Sequence, residues 1–368
     1  MLPARLAWAE IDLDALAHNY FCIRKAARGA RVSCVIKADA YGHGAARLAL
    51  LYEALGADML AVASLSEALT VRKAGGRLPL LILGATPPMY AEVLVRERLT
   101  QTVYSAAYAE ALAEALCGTG GRLGVHIKIE SGMHRLGLRP EECEALIPLL
   151  TRTALHAEGI FTHPSHTDAE DGGAHAVAQY AALMAAEERL RAAGIPLPIR
   201  HISNSAAIFE HPEMRLDMVR AGLALYGISP AGAREELRPA LTLRAAVVAT
   251  HRLSAGESVG YGGTFTAERM TQVATLPIGY ADGIDRCAAA HGMTVEIRGA
   301  HAPVIGRVCM DMTMLDVTDT GAAIGDTVTI YGKEAPVSVA AFAARSGKTP
   351  YELLCAIGKR VPREYVTN

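Results

Sequence analysis

No C-x-x-C pair occurs in this chain of 368 residues, and its seven cysteines are odd in number and widely scattered. That spacing argues against a disulfide framework and against a structural zinc site, and it reads as reduced thiols, most of them expected to fill core positions. Nor is there a run of about 18 uncharged apolar residues, the length a membrane span requires. The opening MLPARLAWAEIDLDAL has no apolar stretch ahead of its first charges, so no secretory signal is expected and the cytoplasm is the expected address. An excess of charge is lacking as well: 36 Lys and Arg stand against 38 Asp and Glu, a net charge of -2. No global field draws nucleic acid or an anionic membrane surface to such a chain. Short-period repeats and low-complexity segments are absent too, apart from a general alanine bias. What is present is a composition 51% hydrophobic and 20% charged, enough to bury a large core in two domains or in one barrel with an addition.

Eight short apolar runs punctuate the first two thirds of the chain: RVSCVIKA (31–38), DMLAVAS (58–64), PLLILG (79–84), TQTVYS (100–105), LGVHIKIE (123–130), ALHAEGIFTH (154–163), IRHISN (199–204) and LDMVRAG (216–222). Segments with helical spacing alternate with them, at 45–56, 67–76, 107–118 and 175–194, often closed by a glycine. Eight strand–helix units in about 230 residues predict a TIM (β/α)8 barrel rather than an open doubly wound sheet, although no long helix follows the eighth run. After GISPAGAREELRP (227–239), a Pro/Gly/charge stretch that reads as a linker, the pattern changes. Val-, Ile- and Thr-rich runs separated by Gly and Asp turns predict a mainly-β domain. The expected class is therefore α/β, with residues 1–232 forming the barrel and 233–368 the β domain, while residues 6–13 read as a strand available to the second domain's sheet.

Lys37 ends the first barrel run, at the C-terminal lip where barrel enzymes build their sites. Taken alone, a lysine at a strand end reads as a side chain reaching for solvent. Its neighbours alter that reading, because in VIKADAYGHG it is followed by Tyr41, Gly42 and Gly44, a polar loop suited to accepting a cofactor phosphate. Burial would keep its amine neutral, the form that condenses with an aldehyde. His163, His166 and Asp168 spell H-x-x-H-x-D, but such a polar loop is more often solvated than metallated, and no metal is expected.

The segment VIKADAYGHG resembles the pyridoxal-phosphate signature of the alanine racemase family. The resemblance continues through KIESGMHRLG (128–137), HISNSAA (201–207), VRAGLALYG (219–227), SVGYGGTFTA (258–267), LPIGYADG (276–283), GRVCMDM (306–312) and PYELLCAIGKRVPR (350–363). It implies a barrel-plus-β-domain fold, a homodimer with shared active sites, pyridoxal 5'-phosphate as cofactor, and two-base interconversion of L- and D-alanine, which supplies peptidoglycan. By the same resemblance Lys37 carries the cofactor and serves as one acid/base group, with Tyr261 as the other on the opposite face. A tyrosine is a poor base at neutral pH, so this role demands surroundings that ease its ionisation.

Arg220 matches the arginine that faces the pyridine nitrogen. It holds its proton, so it leaves the ring neutral and a weaker electron sink than an aspartate would. His163 matches a histidine that buttresses this arginine. Arg135 is implied at the cofactor phenolic oxygen and the substrate carboxylate, and Lys128 matches a lysine that in many relatives carries a CO2-derived carbamate able to hold Arg135. Phosphate binding falls to Tyr41, Ser205, the backbone of Gly222 and Leu223, and Tyr351, although Ser205 beside Asn204 also reads as a helix cap. Met310 and Asp311 match the second-domain pair near the substrate, and Tyr280 narrows the entrance. Tyr351 beside the methyl pocket favours a small side chain, yet an apolar wall excludes one added hydroxyl poorly, so serine or broad-specificity racemisation is the nearest alternative. A non-catalytic pyridoxal-phosphate carrier would need neither the β domain nor Tyr261 and Met310. A metal-dependent barrel hydrolase would need an early H-x-H where Lys37 stands.

Overall fold

The computed structural model describes residues 5–165, 174–229 and 236–367. Chain order gives β1 (Ala7–Asp12), β2 (Arg31–Val35), β3 (Met59–Val62), β4 (Leu80–Ile82), β5 (Leu99–Val103), β6 (Leu123–Lys128), β7 (Leu155–Phe161), β8 (Ile199–His201) and β9 (Met218–Ala221). Every one of the eight apolar runs contains or overlaps one of the strands β2 to β9. They are parallel and stand in the order β8-β7-β6-β5-β4-β3-β2-β9, so the last strand returns beside the first. The ring is nearly complete, because β8 and β9 are linked not by a ladder but by Asp217 N–H to Arg200 O at 3.1 Å and Arg220 N–H to Ser203 O at 3.0 Å. All residues of β3, β4, β5 and β6 are buried, as expected of parallel strands covered on both faces.

Around this ring run the helices Ala45–Ala54, Leu65–Lys73, Ala106–Ala115 and Ala174–Ala192. Serine side chains start two of them, Ser64 accepting from Glu67 N–H and Ser105 from Tyr108 N–H. Between β9 and β10 the described residues hold only the short 3-10 turn Leu223–Tyr226; the barrel closes there because β9 pairs with β2 along its whole length.

The second sheet is built from β10 (Leu241–Ala246), β11 (Ala249–Leu253), β14 (Thr271–Leu276), β15 (Thr294–Ile297), β16 (Ala300–Ile305), β17 (Thr313–Asp316), β18 (Thr327–Tyr331) and β19 (Arg363–Val366), with β12 (Ser258–Val259) and β13 (Phe265–Thr266) as a separate small ribbon. β1 is its ninth strand, antiparallel to β10 and parallel to β19. Buried Asn19, on the helix Leu13–Ala26, ties the passage between the two sheets. Its amide donates to Leu225 O at 3.1 Å and Arg238 O at 2.8 Å, and it accepts from Arg238 N–H at 2.8 Å. Two further helices, Val339–Ser346 and Pro350–Ala356, precede β19, and the second of them packs on the turn that carries Lys37.

Candidate active site

Lys37 follows β2 and opens a turn that few L-residues adopt. Ala38, Asp39, Ala40 and Tyr41 all lie in the left-handed region, with φ between 50° and 56°. Such a backbone costs roughly 1–2 kcal/mol per residue and persists only where its surroundings hold it. Here Glu67 accepts Ala38 N–H at 2.8 Å and Ala63 N–H at 2.7 Å, and Asp39 accepts Ala45 N–H at 2.8 Å. Gly42 and Gly44, read from the sequence as a phosphate loop, serve a different purpose. A Cβ on Gly42 would stand 2.3 Å from Leu354 O, and one on Gly44 would stand 1.9 Å from the Tyr365 hydroxyl, so their missing side chains admit the end of the chain against the Lys37 turn.

The cradle suited to a phosphate lies beside that turn, past the end of β9, the strand paired with β2. A Cβ on Gly222 would meet the Tyr41 hydroxyl at 2.9 Å and Ser205 Oγ at 3.9 Å, so glycine keeps the space between two hydroxyls clear. Ser205 Oγ accepts from Gly222 N–H at 2.9 Å and from Ala224 N–H at 3.3 Å; the helix cap at this point is Asn204, which accepts from Ala207 N–H. The helix that bears Tyr351 adds a further hydroxyl, which acts electrostatically on Tyr41. Burial above all, then Cys355 and Tyr351, keeps the Tyr41 phenol protonated and able to donate.

Cations dominate the rest of the lip. Burial first, then Arg135 and Arg220, hold the Lys37 ammonium below its ordinary value, and burial with Arg220 pulls Lys128 down to about 7. Lys128 Nζ donates to Ile129 O at 2.6 Å and approaches Thr162 Oγ1 at 3.4 Å. Arg135 is exposed on the loop after β6, and Glu130 below it accepts its backbone N–H. Arg220 is buried; its terminal nitrogens donate to His201 Nδ1 at 2.8 Å, Thr162 O at 2.9 Å and Ile202 O at 3.0 Å, and reach His163 Nδ1 at 3.4 Å. Its Nε–H and one Nη1–H have no acceptor among the described residues, so the guanidinium keeps donors available to a ligand. Burial and Arg135 lower Arg220 to about 9, so it remains a cation at neutral pH.

His201, which sequence reasoning passed over, is the closer support of Arg220. Because the arginine must donate, His201 Nδ1 accepts, and its Nε2–H then faces His126 Nδ1 at 2.8 Å. Burial keeps both rings neutral, and the Phe161 ring stacks on His201 at 4.6 Å while receiving the Lys128 and Arg220 cations at 5.6 and 5.3 Å. The available signal was a histidine inside each of two apolar strand runs, LGVHIKIE and IRHISN. Glu67 was also missed, since S-x-x-E at 64–67 reads as an ordinary capping box.

The remaining candidates share a separate surface on the second sheet. Tyr261 lies in a turn packed against Arg307, is 68% exposed, and makes no hydrogen bond among the described residues. Ala281 N–H donates to Met310 O at 3.0 Å and Tyr280 N–H to Cys309 O at 3.0 Å, while Arg360 grips Asp311 and Asp282 together. Tyr261, Tyr280, Met310 and Asp311 thus stand on loops of one domain, whereas Lys37, Tyr41, Lys128, Arg135, His163, Ser205, Arg220, Gly222 and Leu223 ring the barrel mouth. No hydrogen bond or ion pair joins the Tyr261 turn to Lys37 within the chain, among the described residues. His166 and Asp168 lie outside the described residues.

A half-buried amine, a clear cradle between hydroxyls, a free guanidinium N–H and a surplus of positive charge fit a phosphorylated aldehyde such as pyridoxal phosphate. Comparison with known proteins agrees with this fit. The family models for the alanine racemase N-terminal and C-terminal domains match residues 11–230 and 240–365. The alanine racemase of Desulfovibrio desulfuricans is 43% identical over 369 residues, covering 98% of each chain. Among solved structures, the alanine racemase of Clostridium difficile is 38% identical with a TM-score of 0.93, over 99% of this chain and 96% of that one. That of Bacillus anthracis with bound L-Ala-P is 31% identical, also with a TM-score of 0.93 and the same coverage.

Proposed function

We propose, because the chain belongs to the alanine racemase family, that Lys37 and Tyr261 are its two acid/base groups and that a second copy of the chain completes each site. The protein is a pyridoxal-phosphate-dependent isomerase that interconverts L- and D-alanine. When bound, the cofactor supplies the electron sink that makes the alanine Cα–H acidic enough to remove. Tyr41, Ser205, the Gly222–Leu223 backbone and Tyr351 would hold its phosphate, Arg220 with His163 alongside would donate to its ring nitrogen, and Arg135 with Met310 N–H would orient the substrate carboxylate.

Inversion needs a proton taken from one face and another delivered to the opposite face. In one direction the neutral Lys37 amine takes the Cα proton and the Tyr261 hydroxyl delivers its own; in the other direction the roles exchange. The lowered Lys37 ammonium suits this cycle, because burial, with Arg135 and Arg220, makes it give up its proton more readily than an ordinary lysine. Arg307 packs against the turn that carries Tyr261, its guanidinium 3.2 Å from where a Cβ on Gly262 would stand.

The observation that carries the shared site is the exposure of its second half. Tyr261 is 68% exposed and Met310 53%, large side chains held on rigid loops with no cover of their own. A two-fold dimer that set each second-sheet face over the partner's barrel mouth would bury both and make two equivalent sites. We also assign the protein to the cytoplasm, where its seven free cysteines remain reduced, and its product to peptidoglycan synthesis. Subunit exchange tests the shared site. Lys37→Ala and Tyr261→Ala homodimers should each be nearly inactive, and mixing them should restore roughly a quarter of wild-type sites, since half the dimers are mixed and half of their sites are intact. No recovery after exchange verified with differently tagged subunits would place both groups in one chain and overturn the shared site.

A further inference from the structure

We propose that the N-terminal end of the barrel, opposite the racemisation site, binds a small organic phosphate. A cavity of about 560 Å3 opens there, within the size range of sites for small molecules. All eight barrel strands reach its wall at or near their first residues, among them Arg31, Met59, Gly124, Ile199 and Met218. Arg31 begins β2 and Lys37 follows its far end, so roughly 20 Å of extended strand separates this cavity from the barrel mouth.

Its charge is unlike that of the whole molecule. Five arginines line it, Arg31, Arg72, Arg77, Arg98 and Arg122, against two carboxylates, Asp58 and Glu158, in a chain whose net charge is -2. Both carboxylates are already engaged. Asp58 accepts from Arg24 and from Val32 N–H, and Glu158 accepts from Thr100 Oγ1 at 2.9 Å and contacts His156 Nε2 at 3.2 Å. Gly124 makes room for that arrangement, since a Cβ there would stand 2.4 Å from the Glu158 carboxylate. Arg72 is engaged as well, donating to the carbonyls of Gly76, Leu78, Glu97 and Arg98, which locks together the loops that carry Arg77 and Arg98.

Arg31, Arg77, Arg98 and Arg122 differ from it in having no side-chain hydrogen bond or ion pair among the described residues. Four unpaired guanidinium forks around one cavity match a compact group of two or more negative charges, and the fork geometry suits phosphate oxygens. The cavity also has an apolar part, formed by Met59, Leu99, Ile199 and Met218, which suits a ring or other apolar body. The ligand class that satisfies both features is an organic phosphate of nucleotide size, with its phosphates at the arginines and its ring on the apolar side.

The test uses the holoenzyme at constant ionic strength, with ATP and AMP as probes and adenosine, inorganic phosphate and citrate as controls. Equilibrium dialysis should show saturable binding of ATP, weaker binding of AMP and inorganic phosphate, and none of adenosine. The double variant Arg98→Gln/Arg122→Gln should bind ATP at least about tenfold more weakly, while its L-alanine racemisation without ATP stays at the wild-type level and shows that the fold is intact. Three results would overturn the proposal: no saturable nucleotide binding at about 10 mM, equal ATP binding by the double variant, or citrate binding as tightly as ATP.

Discussion

Acidifying the holoenzyme from about pH 7.5 to about pH 5.5 should remove ~4 kcal/mol of its stability through three fully buried histidines that the fold keeps neutral, with His163, also held low by burial, acting in the same direction. His43, His126 and His201 are fully buried. Burial is the chief cause of each shift: it lowers His43 to about 4 and His126 to about 3, and it holds His201 well below its ordinary value. For His201 the Arg220 guanidinium reinforces the effect, because an added proton on Nδ1 would face a donor at 2.8 Å. The unfolded chain protonates these rings near pH 6.5 and the folded chain does not, so the unfolded state binds more protons and stability falls with pH below that point. One pH unit below 6.5, each ring accounts for a little over ~1 kcal/mol. Total stabilities run to about 5–15 kcal/mol, so the loss is a large share. The carboxylates held low by the fold, Glu130, Asp217 and Asp285, weaken the protein only as the pH falls toward and below their ordinary values, outside this window. Urea unfolding of wild type and His43→Asn at the two pH values isolates one ring, because asparagine can still donate to Ala40 O and Tyr41 O, as His43 Nδ1 does. The stability difference between the two proteins should change by a little over ~1 kcal/mol from one pH to the other. A difference that stays constant would refute the argument.

Three further outcomes are expected. Gly222→Ala places a Cβ 2.9 Å from the Tyr41 hydroxyl, so pyridoxal phosphate titrated into the apoenzyme should bind with a Kd raised about tenfold or more, whereas an unchanged Kd removes Gly222 from the cradle. Arg220→Glu should lower racemisation at least about tenfold and raise the pyruvate released per turnover, because a carboxylate favours a protonated ring; an unaltered pyruvate ratio would mean that Arg220 does not face the ring nitrogen. Lys128, lowered to about 7, has a largely free amine at mildly alkaline pH, so 13C-labelled CO2 should produce a carbamate carbon resonance that is lost in Lys128→Met. Identical spectra for the two proteins would show that Lys128 remains an amine.

The sequence by itself determined which stretches become strands and helices of the barrel, because those choices follow from nearest neighbours along the chain. Runs such as DMLAVAS and PLLILG are apolar throughout since β3 and β4 are covered on both faces, and a strand needs no partner's identity to show that pattern. Lys37 was legible for a related reason, standing at the end of such a run and so at the barrel mouth, whereas Arg220 was read only by resemblance. Only the tertiary structure decided how distant segments meet. Nothing near residues 42–44 indicates that Leu354 and Tyr365 will press on Gly42 and Gly44, and the sequence reading gave those glycines to a phosphate instead. Ser205 and Asn204 are adjacent candidates for one cap; Asn204 takes it, while Ser205 turns to Gly222, which β9 carries to its side. His126 and His201 lie 75 residues apart, and each alone is a polar residue in an apolar run. Their hydrogen bond, and through it the support of Arg220, exists because a barrel brings inward side chains of β6 and β8 to a common axis. A local pattern records the periodicity of each strand but not which other strand its side chains will face.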